Sequence, residues 1–533
     1  MDAPIDSASN GLSGRRVLVL GLGESGLAMA RWWSRLGAAV RVWDTRDEAP
    51  NDAALGTLLP AAERLRGALD EGALDRVALL LKSPGLAPND VRIAALVRGA
   101  ALRGVPVEGE LDLFARALAD LKASRGYSPK VVAVTGTNGK TTTTAMLALL
   151  IARSGRRVAA AGNIGPTMLQ TLADALEREA TAGGDGLPEV WVLELSSFQL
   201  DGVKNFAPDA AAVLNISEDH LDWHGSMAAY RDAKAHVFGP PGGATVMVVN
   251  RDDPLVEAMV PIDLPVKGRA PRTVPARQIV RFGLGLPTFP GDFGLVTENG
   301  MAWLTRAHEA DPTLKRGRAR RSTESGAGGQ QLQRLMPADA LRVRGRHNAA
   351  NALAALALAT SIGCPLAPLL HALRDYAGEP HRVEFVATVD GVDAFDDSKG
   401  TNVGATVAAI EGLGADRAPG RLVVILGGDG KGQDFAPLAE PLRRHARAVA
   451  TLGRDAEAVE AAISGAAGAF ALRRQATLED ATRWAFAEAR PGDAVLLSPA
   501  CASLDMFRNY AHRADVFVSA VHAIAAERGG VLV

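Results

Sequence analysis

The sequence predicts an α/β protein of three successive units, each on a mostly parallel sheet. Three observations predict it. Residues 16–43 open as strand, glycine turn, helix, strand; residues 131–144 (VVAVTGTNGKTTTT) run a second apolar strand into a glycine-rich turn and a helix; and apolar segments at 392–396, 421–426 and 494–498 alternate with helical ones in the last third.

In the first unit, RVLVLG (16–21) is a strand ending in glycine, 24–36 has helical spacing and AVRVW (39–43) is the next strand. Polar, turn-rich KASRGYSPK (122–130) reads as a linker. The second unit starts at strand 131–136, continues through helix 141–153 and strands 158–161, 190–195, 210–215 and 245–250, and closes with the Ala-rich helix 347–362. Residues 315–335 are basic and then Gly/Ser/Gln-rich, and with no aromatic residues interleaved they read as a solvated insertion. The third unit begins near His381, with helices at 402–411, 435–445 and 479–488. The expected boundaries are 1–124, 125–380 and 381–533.

A chain of 533 residues is too long for one core. A formal net charge of −2 argues against a nucleic-acid binder. The only cysteines, Cys364 and Cys501, are too few for a disulfide framework or structural zinc, which points to a reducing compartment. The first 16 residues lack an apolar core and no run of about 18 apolar residues follows, so the expectation is a cytoplasmic protein without membrane insertion.

The turn at 135–144 carries the strongest chemical signal. Backbone N–H groups of Gly136, Thr137, Asn138 and Gly139, with the helix N-terminus behind them, make an anion cradle. Lys140 is placed for β/γ-phosphate charge, Thr141 for Mg²⁺, and Thr142 continues the turn into the helix. Val134 replaces the first glycine of the usual G-x-x-x-x-G-K-[ST] pattern. Glu194, in ELSSFQL, falls near a strand end, where it serves either a cation or a local ion pair. NISEDHLDWH (215–224) sets His220 among Glu218, Asp219, Asp222 and His224, a polar loop or a metal site. Lys234 alone reads as a solvated helical charge. GLGESG (21–26), with Asp44 after the second strand, has dinucleotide-fingerprint spacing; a helix N-terminus accepts any diphosphate, so the motif does not choose among NAD and other nucleotides.

TGTNGKTTTT, ELSSFQLD, NISEDHLDWH, GRHNAANALAALA, EPHRVE, DDSKGTN, LGGDGKG and SPACASLDMF occur in that order. Together they resemble the Mur ligases of bacterial cell-wall synthesis, over about residues 15–515; DDSKGTN, GGDGKG and SPACASLDMF are most similar to the branch whose acceptor is D-glutamate. The resemblance implies an N-terminal Rossmann-like domain for a UDP-sugar, a central P-loop ATPase domain and a C-terminal Rossmann-like domain. It implies a monomeric ligase that joins D-glutamate to UDP-N-acetylmuramoyl-L-alanine through an acyl phosphate, using ATP and two Mg²⁺ ions. Three readings compete: a folylpolyglutamate synthase-like ligase, against which the GLGESG unit counts; a non-enzymatic ATP switch, which needs no acceptor pocket; and an NAD dehydrogenase using the first unit, which would bind nicotinamide and need no ATP.

The same resemblance implies roles by position. Thr141 and Glu194 hold one Mg²⁺; His220 and a carbamylated Lys234 hold the other. Lys140, His220 and Lys234 form the catalytic group. Asn351, Arg382 and Asp397 join the P-loop residues on ATP, with Asn348 beside them. Gly23, Glu24, Ser25, Asp44, Thr45, Arg46, Gly85 and Asn163 take the UDP-sugar, with Ser83 and Pro84 alongside. Lys399, Thr401, Lys431, Ser503 and Tyr510 form the D-glutamate pocket, two cations suiting a dicarboxylate. Tyr510 stands where the family pattern leads one to expect Phe, and Glu24 where it is often small or apolar. Residues 172–189 and 265–340 are extra length, expected to be surface elaboration.

Overall fold

The computed structural model describes residues 14–182, 186–241, 243–261, 277–309, 331–343, 345–466 and 468–528. Short apolar runs punctuated by glycine build four sheets.

The first holds β1 (Arg16–Leu20), β2 (Ala39–Trp43), β3 (Glu63–Leu65), β4 (Val77–Lys82) and β5 (Val107–Glu108), all parallel in the order β3-β2-β1-β4-β5. The order reverses between β1 and β4, so a crevice opens beyond their carboxyl ends, where Gly21–Ser25 and Ser83–Gly85 lie.

The second sheet holds β6 (Lys130–Thr135), β7 (Val158–Gly162), β8 (Val190–Glu194), β9 (Ala210–Val213), β10 (Val246–Asn250) and β11 (Ile279–Phe282), again parallel, in the order β11-β10-β9-β6-β8-β7. Its reversal falls at β6, which places the phosphate turn, Glu194 and Asn215 at one sheet edge. The helix Arg346–Ser361 packs on the helix Lys140–Arg153, and its alanines permit close approach.

An antiparallel sheet of β12 (Phe293–Glu298), β13 (Met301–His308) and β14 (Gln331–Pro337) follows, turning at Asn299–Gly300, both in the left-handed region. The fourth sheet holds β15 (Glu384–Val389), β16 (Val392–Asp396), β17 (Leu422–Gly427), β18 (Ala446–Leu452), β19 (Ala471–Arg474) and β20 (Ala494–Leu497) in the order β15-β16-β20-β17-β18-β19; only β15 is antiparallel.

Several expectations are corrected. The linker read at 122–130 is shorter, because the helix Glu110–Arg125 runs through its first four residues and β6 begins at Lys130. Residues 172–189 are not surface elaboration: the helix Met168–Ala182 buries Leu172, Ala175 and Leu176 in a core shared with the first unit. Nor is 265–340 elaboration throughout, since Phe282, Phe293, Leu295, Leu304 and Met336 pack into the core beneath Arg346–Ser361. Of the basic insertion read at 315–335, residues 331–335 are strand and the rest lies outside the described residues. Strands β15, β18 and β19 and the antiparallel sheet were not anticipated, and the helix read at 402–411 continues to Arg417. Among the described residues no helix is long and apolar enough to cross a membrane.

Candidate active site

Gly139 ends the phosphate turn at φ +81°, and a Cβ there would lie 2.5 Å from the Asn351 side-chain oxygen. Glycine is therefore required both by the backbone conformation and by the approach of Arg346–Ser361. Asn215, directly after β9, braces the turn: its Oδ1 accepts from Asn138 N–H at 2.8 Å and its Nδ2 donates to Asn138 O at 3.1 Å. Thr137 is turned inward; its N–H donates to Asn215 O, and its hydroxyl accepts from Ser217 N–H and meets the Tyr230 hydroxyl at 3.1 Å.

Two buried amines converge on one carbonyl. Lys140 Nζ donates to Gly136 O at 2.9 Å and to Thr137 O at 2.8 Å, and Lys234 Nζ donates to Gly136 O at 2.9 Å. Lys234 is 1% exposed and lies 4.6 Å from the centre of the Tyr230 ring, its neighbour one helical turn back. Burial, followed by repulsion from Lys140, pulls the Lys234 pKa well down, and burial lowers that of Lys140 as well. The isolated reading of Lys234 as a solvated charge is therefore corrected.

Glu194 closes β8 and is also 1% exposed. Asn163 Nδ2 donates to its Oε1 at 2.9 Å, while Oε2 is buried without a hydrogen-bond partner. The ion-pair alternative for Glu194 finds no partner within bridging distance among the described residues, whereas an orphaned buried carboxylate oxygen fits a bound cation. His220, at φ +53°, has Asp219 Oδ2 3.5 Å from its Nε2; burial lowers its pKa, Asp219 opposes that shift and the nearby lysines add to it.

A cleft of about 650 Å³ lies at the first sheet's crevice, lined by Gly23, Glu24, Ser25, Asp44, Thr45, Arg46 and Gly85 on one side and Asn163 on the other. Asp44 accepts from Leu22 N–H at 2.7 Å, Arg46 N–H at 2.9 Å and Arg46 Nε at 2.8 Å. Burial alone would raise its pKa, but these hydrogen bonds outweigh burial and hold it below the usual carboxylate range. Ser83 Oγ donates to Gly21 O, locking the two loops together.

A second cleft, about 390 Å³, opens between the second and third units, lined by Asn138, Gly139, Thr142, Asn348, Asn351, Arg382 and Asp397. Arg382 reaches across, its NH2 donating to Thr141 Oγ1 at 2.7 Å, and Asn402 Nδ2 donates to Asn138 Oδ1 at 3.1 Å. The Arg382 backbone is held between His381 and Val383, both at positive φ, and the His381 ring is tied to buried Asp396 at 2.7 Å. Burial pushes the Asp397 carboxyl up to about 7, although Ser498 Oγ donates to it at 2.6 Å.

The loops after β16, β17 and β20 meet. Ala500 N–H donates to Gly400 O, and Asp429 and Ala502 exchange both backbone hydrogen bonds. This gathers Lys399, Thr401, Lys431 and Ser503. Lys399 Nζ stands 3.7 Å over the Tyr510 ring. Lys399 adds to the repulsion felt by Lys140, and Lys431 to that felt by His220.

Sequence reasoning missed Tyr230, Asn215, Asn402 and Ser498. The four-residue spacing of Tyr230 and Lys234 was a usable signal; the others are brought in only by the tertiary fold.

Comparison with known proteins gives three matched regions: the Mur ligase MurD-like N-terminal domain over residues 15–109, the Mur ligase middle domain over 134–262, and the Mur ligase glutamate ligase domain over 381–501. The chain is 56% identical over 522 residues to the UDP-N-acetylmuramoylalanine--D-glutamate ligase of Albidiferax ferrireducens, covering 98% of each chain. It is 57% identical over 520 residues to the enzyme of that name from Burkholderia mallei, covering 97% of this chain and 98% of that one. Among solved structures, the fold is similar to the MurF ligase of Thermotoga maritima in complex with ADP (TM-score 0.54, 17% identity, 98% and 97% of the two chains covered) and to the UDP-N-acetylmuramate-alanine ligase of Thermotoga maritima (TM-score 0.53, 19% identity, 96% and 99% covered).

Proposed function

The chain belongs to the Mur ligase family, and from that membership we propose how its residues divide one reaction, the ATP-dependent addition of D-glutamate to UDP-N-acetylmuramoyl-L-alanine in peptidoglycan precursor synthesis. It is a ligase that forms a C–N bond. The observation that carries the reading is that both clefts border the phosphate turn's surroundings: Asn138, Gly139 and Thr142 line the nucleotide cleft, Asn163 lines the first-sheet cleft and bonds Glu194, and Arg382 of the third unit bonds Thr141.

In this reading the units 1–124, 125–380 and 381–533 hold nucleotide sugar, ATP and acceptor respectively. Gly23, Glu24, Ser25, Thr45, Arg46 and Gly85 take the UDP end, and Asp44 fixes the loop around it through Leu22 and Arg46. Asn163 brings the sugar-linked carboxylate to Glu194. The turn Gly136–Thr142 and Asn351 cradle ATP, Asp397 meets the ribose and Arg382 closes over the phosphates. The carboxylate attacks the γ-phosphorus, ADP leaves, and an acyl phosphate results. Lys140 counters the mutual repulsion of carboxylate and phosphate. Lys399, Thr401, Lys431, Ser503 and the Tyr510 ring hold D-glutamate, whose amine displaces phosphate from the acyl carbon. The clasp between Arg382 and Thr141 helps exclude water from the acyl phosphate.

Mg²⁺ is the family's metal, and the donor set fits it. When bound it neutralises triphosphate charge. We place two ions, one on Thr141 and Glu194, the other on His220 and Lys234. A protonated amine cannot ligate Mg²⁺. Burial disfavours the charged form of Lys234, and its amine, once deprotonated, can add to CO₂, lose a proton and present two carbamate oxygens. We assign the enzyme to the cytoplasm as a monomer, in keeping with its nucleotide substrates and its two buried free thiols, Cys364 and Cys501.

The test is phosphate release with ATP and UDP-N-acetylmuramoyl-L-alanine across a panel of amino acids. Release that depends on D-glutamate is expected. Release without any acceptor would indicate a nucleotide switch, and acceptance of L-glutamate in its place would refute the assigned pocket.

A further inference from the structure

Lys82 closes β4 of the first unit with a half-buried side chain. Its Nζ donates to Leu86 O at 2.8 Å and stands 5.6 Å from the centre of the Trp223 ring, which belongs to the second unit. The first contact closes the turn Ser83–Leu86, and all four residues of that turn line the 650 Å³ cleft. The second contact crosses between the units. Trp223 packs on Phe198 with ring centres 4.8 Å apart, and Phe198 lines the same cleft from the second unit. Phe198 in turn meets the His220 ring edge-on at 4.6 Å.

One ammonium therefore ties a turn in one wall of the cleft to the ring that backs the other wall. Burial disfavours its charge and pulls its pKa down to about 8, with Asp201 opposing that shift. An apolar side chain would continue the run Val77–Leu81 at lower cost. It would offer neither a donor for Leu86 O nor attraction to the face of the indole. Trp223 Nε1 is buried without a hydrogen-bond partner, so no directional bond of its own places that ring. Packing against Phe198 and the cation from the first unit place it.

We propose that Lys82 is a positioning residue for the nucleotide sugar: it seats the Ser83–Leu86 turn against the Trp223–Phe198 pair, and so sets the separation of the two walls between which the ligand lies. The inference rests on the reading of this cleft as the UDP-sugar site.

The experiment compares Lys82→Met, Lys82→Arg, Trp223→Leu and the double variant Lys82→Met/Trp223→Leu with the wild type. It measures the Kd of UDP-N-acetylmuramoyl-L-alanine without ATP and the KM of each substrate. Methionine keeps the stem but removes charge and donor. It is expected to raise Kd and KM for the nucleotide sugar about fivefold, with KM for ATP and D-glutamate within about twofold. Trp223→Leu is expected to weaken the same two constants, and the double variant to bind no more weakly than Lys82→Met alone, because the contact is already gone. Arginine keeps a cation and a donor and is expected to bind within about twofold of the wild type. Where Trp223→Leu fails to fold, the contrast between methionine and arginine decides. An unchanged Kd in Lys82→Met, whatever its melting temperature, would make the lysine structural only and overturn the proposal. Equal losses in methionine and arginine, or additive losses in the double variant, would overturn it too. Absence of wild-type binding to the nucleotide sugar would overturn the cleft reading together with it; normal wild-type binding with unchanged variants overturns the inference alone.

Discussion

Lys234 shares a carbonyl with Lys140 in a pocket that offers it no carboxylate within bonding distance among the described residues, and Tyr230 covers it. A buried ammonium there is expensive, and an amine that gives up its proton is ready for CO₂. Lys234→Ala is expected to lose turnover and to recover part of it when a short carboxylic acid supplies the missing oxygens. Wild-type rate is expected to fall in CO₂-depleted buffer; a rate indifferent to both treatments would exclude the carbamate. Asp397 offers a pH signature. Its carboxyl titrates near 7 when folded against a usual 3.8, so between those values the folded protein keeps a proton that the unfolded chain has lost. The stability this group contributes is present below about pH 4 and is lost as pH rises toward 7. Urea midpoints at pH 5 and 7.5 are expected to differ less in Asp397→Asn than in the wild type. Equal differences would show that the carboxyl is ionised throughout.

The helices that join the units are built for packing. Phe114, on Glu110–Arg125, meets Trp191 of β8 edge-on at 5.0 Å, and both are fully buried. Phe114→Ala is expected to cost about 3–5 kcal/mol by denaturant titration, since the cavity cannot collapse against a rigid strand. A loss below about 1 kcal/mol would show that this contact is dispensable. At this scale the sequence was uneven to read. Parallel strands such as 131–136 and 190–195 stood out because burial on both faces makes them continuous apolar runs. Strand β19 (ALRR) was illegible because it is an exposed edge with no apolar pattern. The Asn299–Gly300 hairpin carried a legible turn signal that was absorbed into a presumed insertion. The helix Met168–Ala182 was masked in the same way, its apolar face being recognisable only once its partners are known.

In the whole molecule, three of the four sheets are parallel, save for β15, and loops from their carboxyl ends line the two clefts. The lysines proposed for the acceptor, Lys399 and Lys431, lie on a different unit from the phosphate turn, with Arg382 as the bridge. Lys431→Ala is therefore expected to raise KM for D-glutamate at least about tenfold while KM for ATP changes little, because the lysine belongs to the loop after β17 and not to the nucleotide cleft. Parallel increases in both constants would mean that the lysine serves domain closure instead.

The sequence by itself determined the buried parallel strands around the phosphate turn, the turn itself, the order of the motifs and part of the lining of each cleft. These follow from local rules: apolar runs make buried strands, glycines admit positive φ, and chemistry collects at strand ends. Only the tertiary structure decided that Glu194 keeps an unpartnered oxygen, that Lys234 is buried against Lys140, and that Glu110, first in its helix, is buried and accepts from Leu169 N–H. Desolvation and pairing depend on what the other units bring to a residue, and no stretch of sequence carries that information alone.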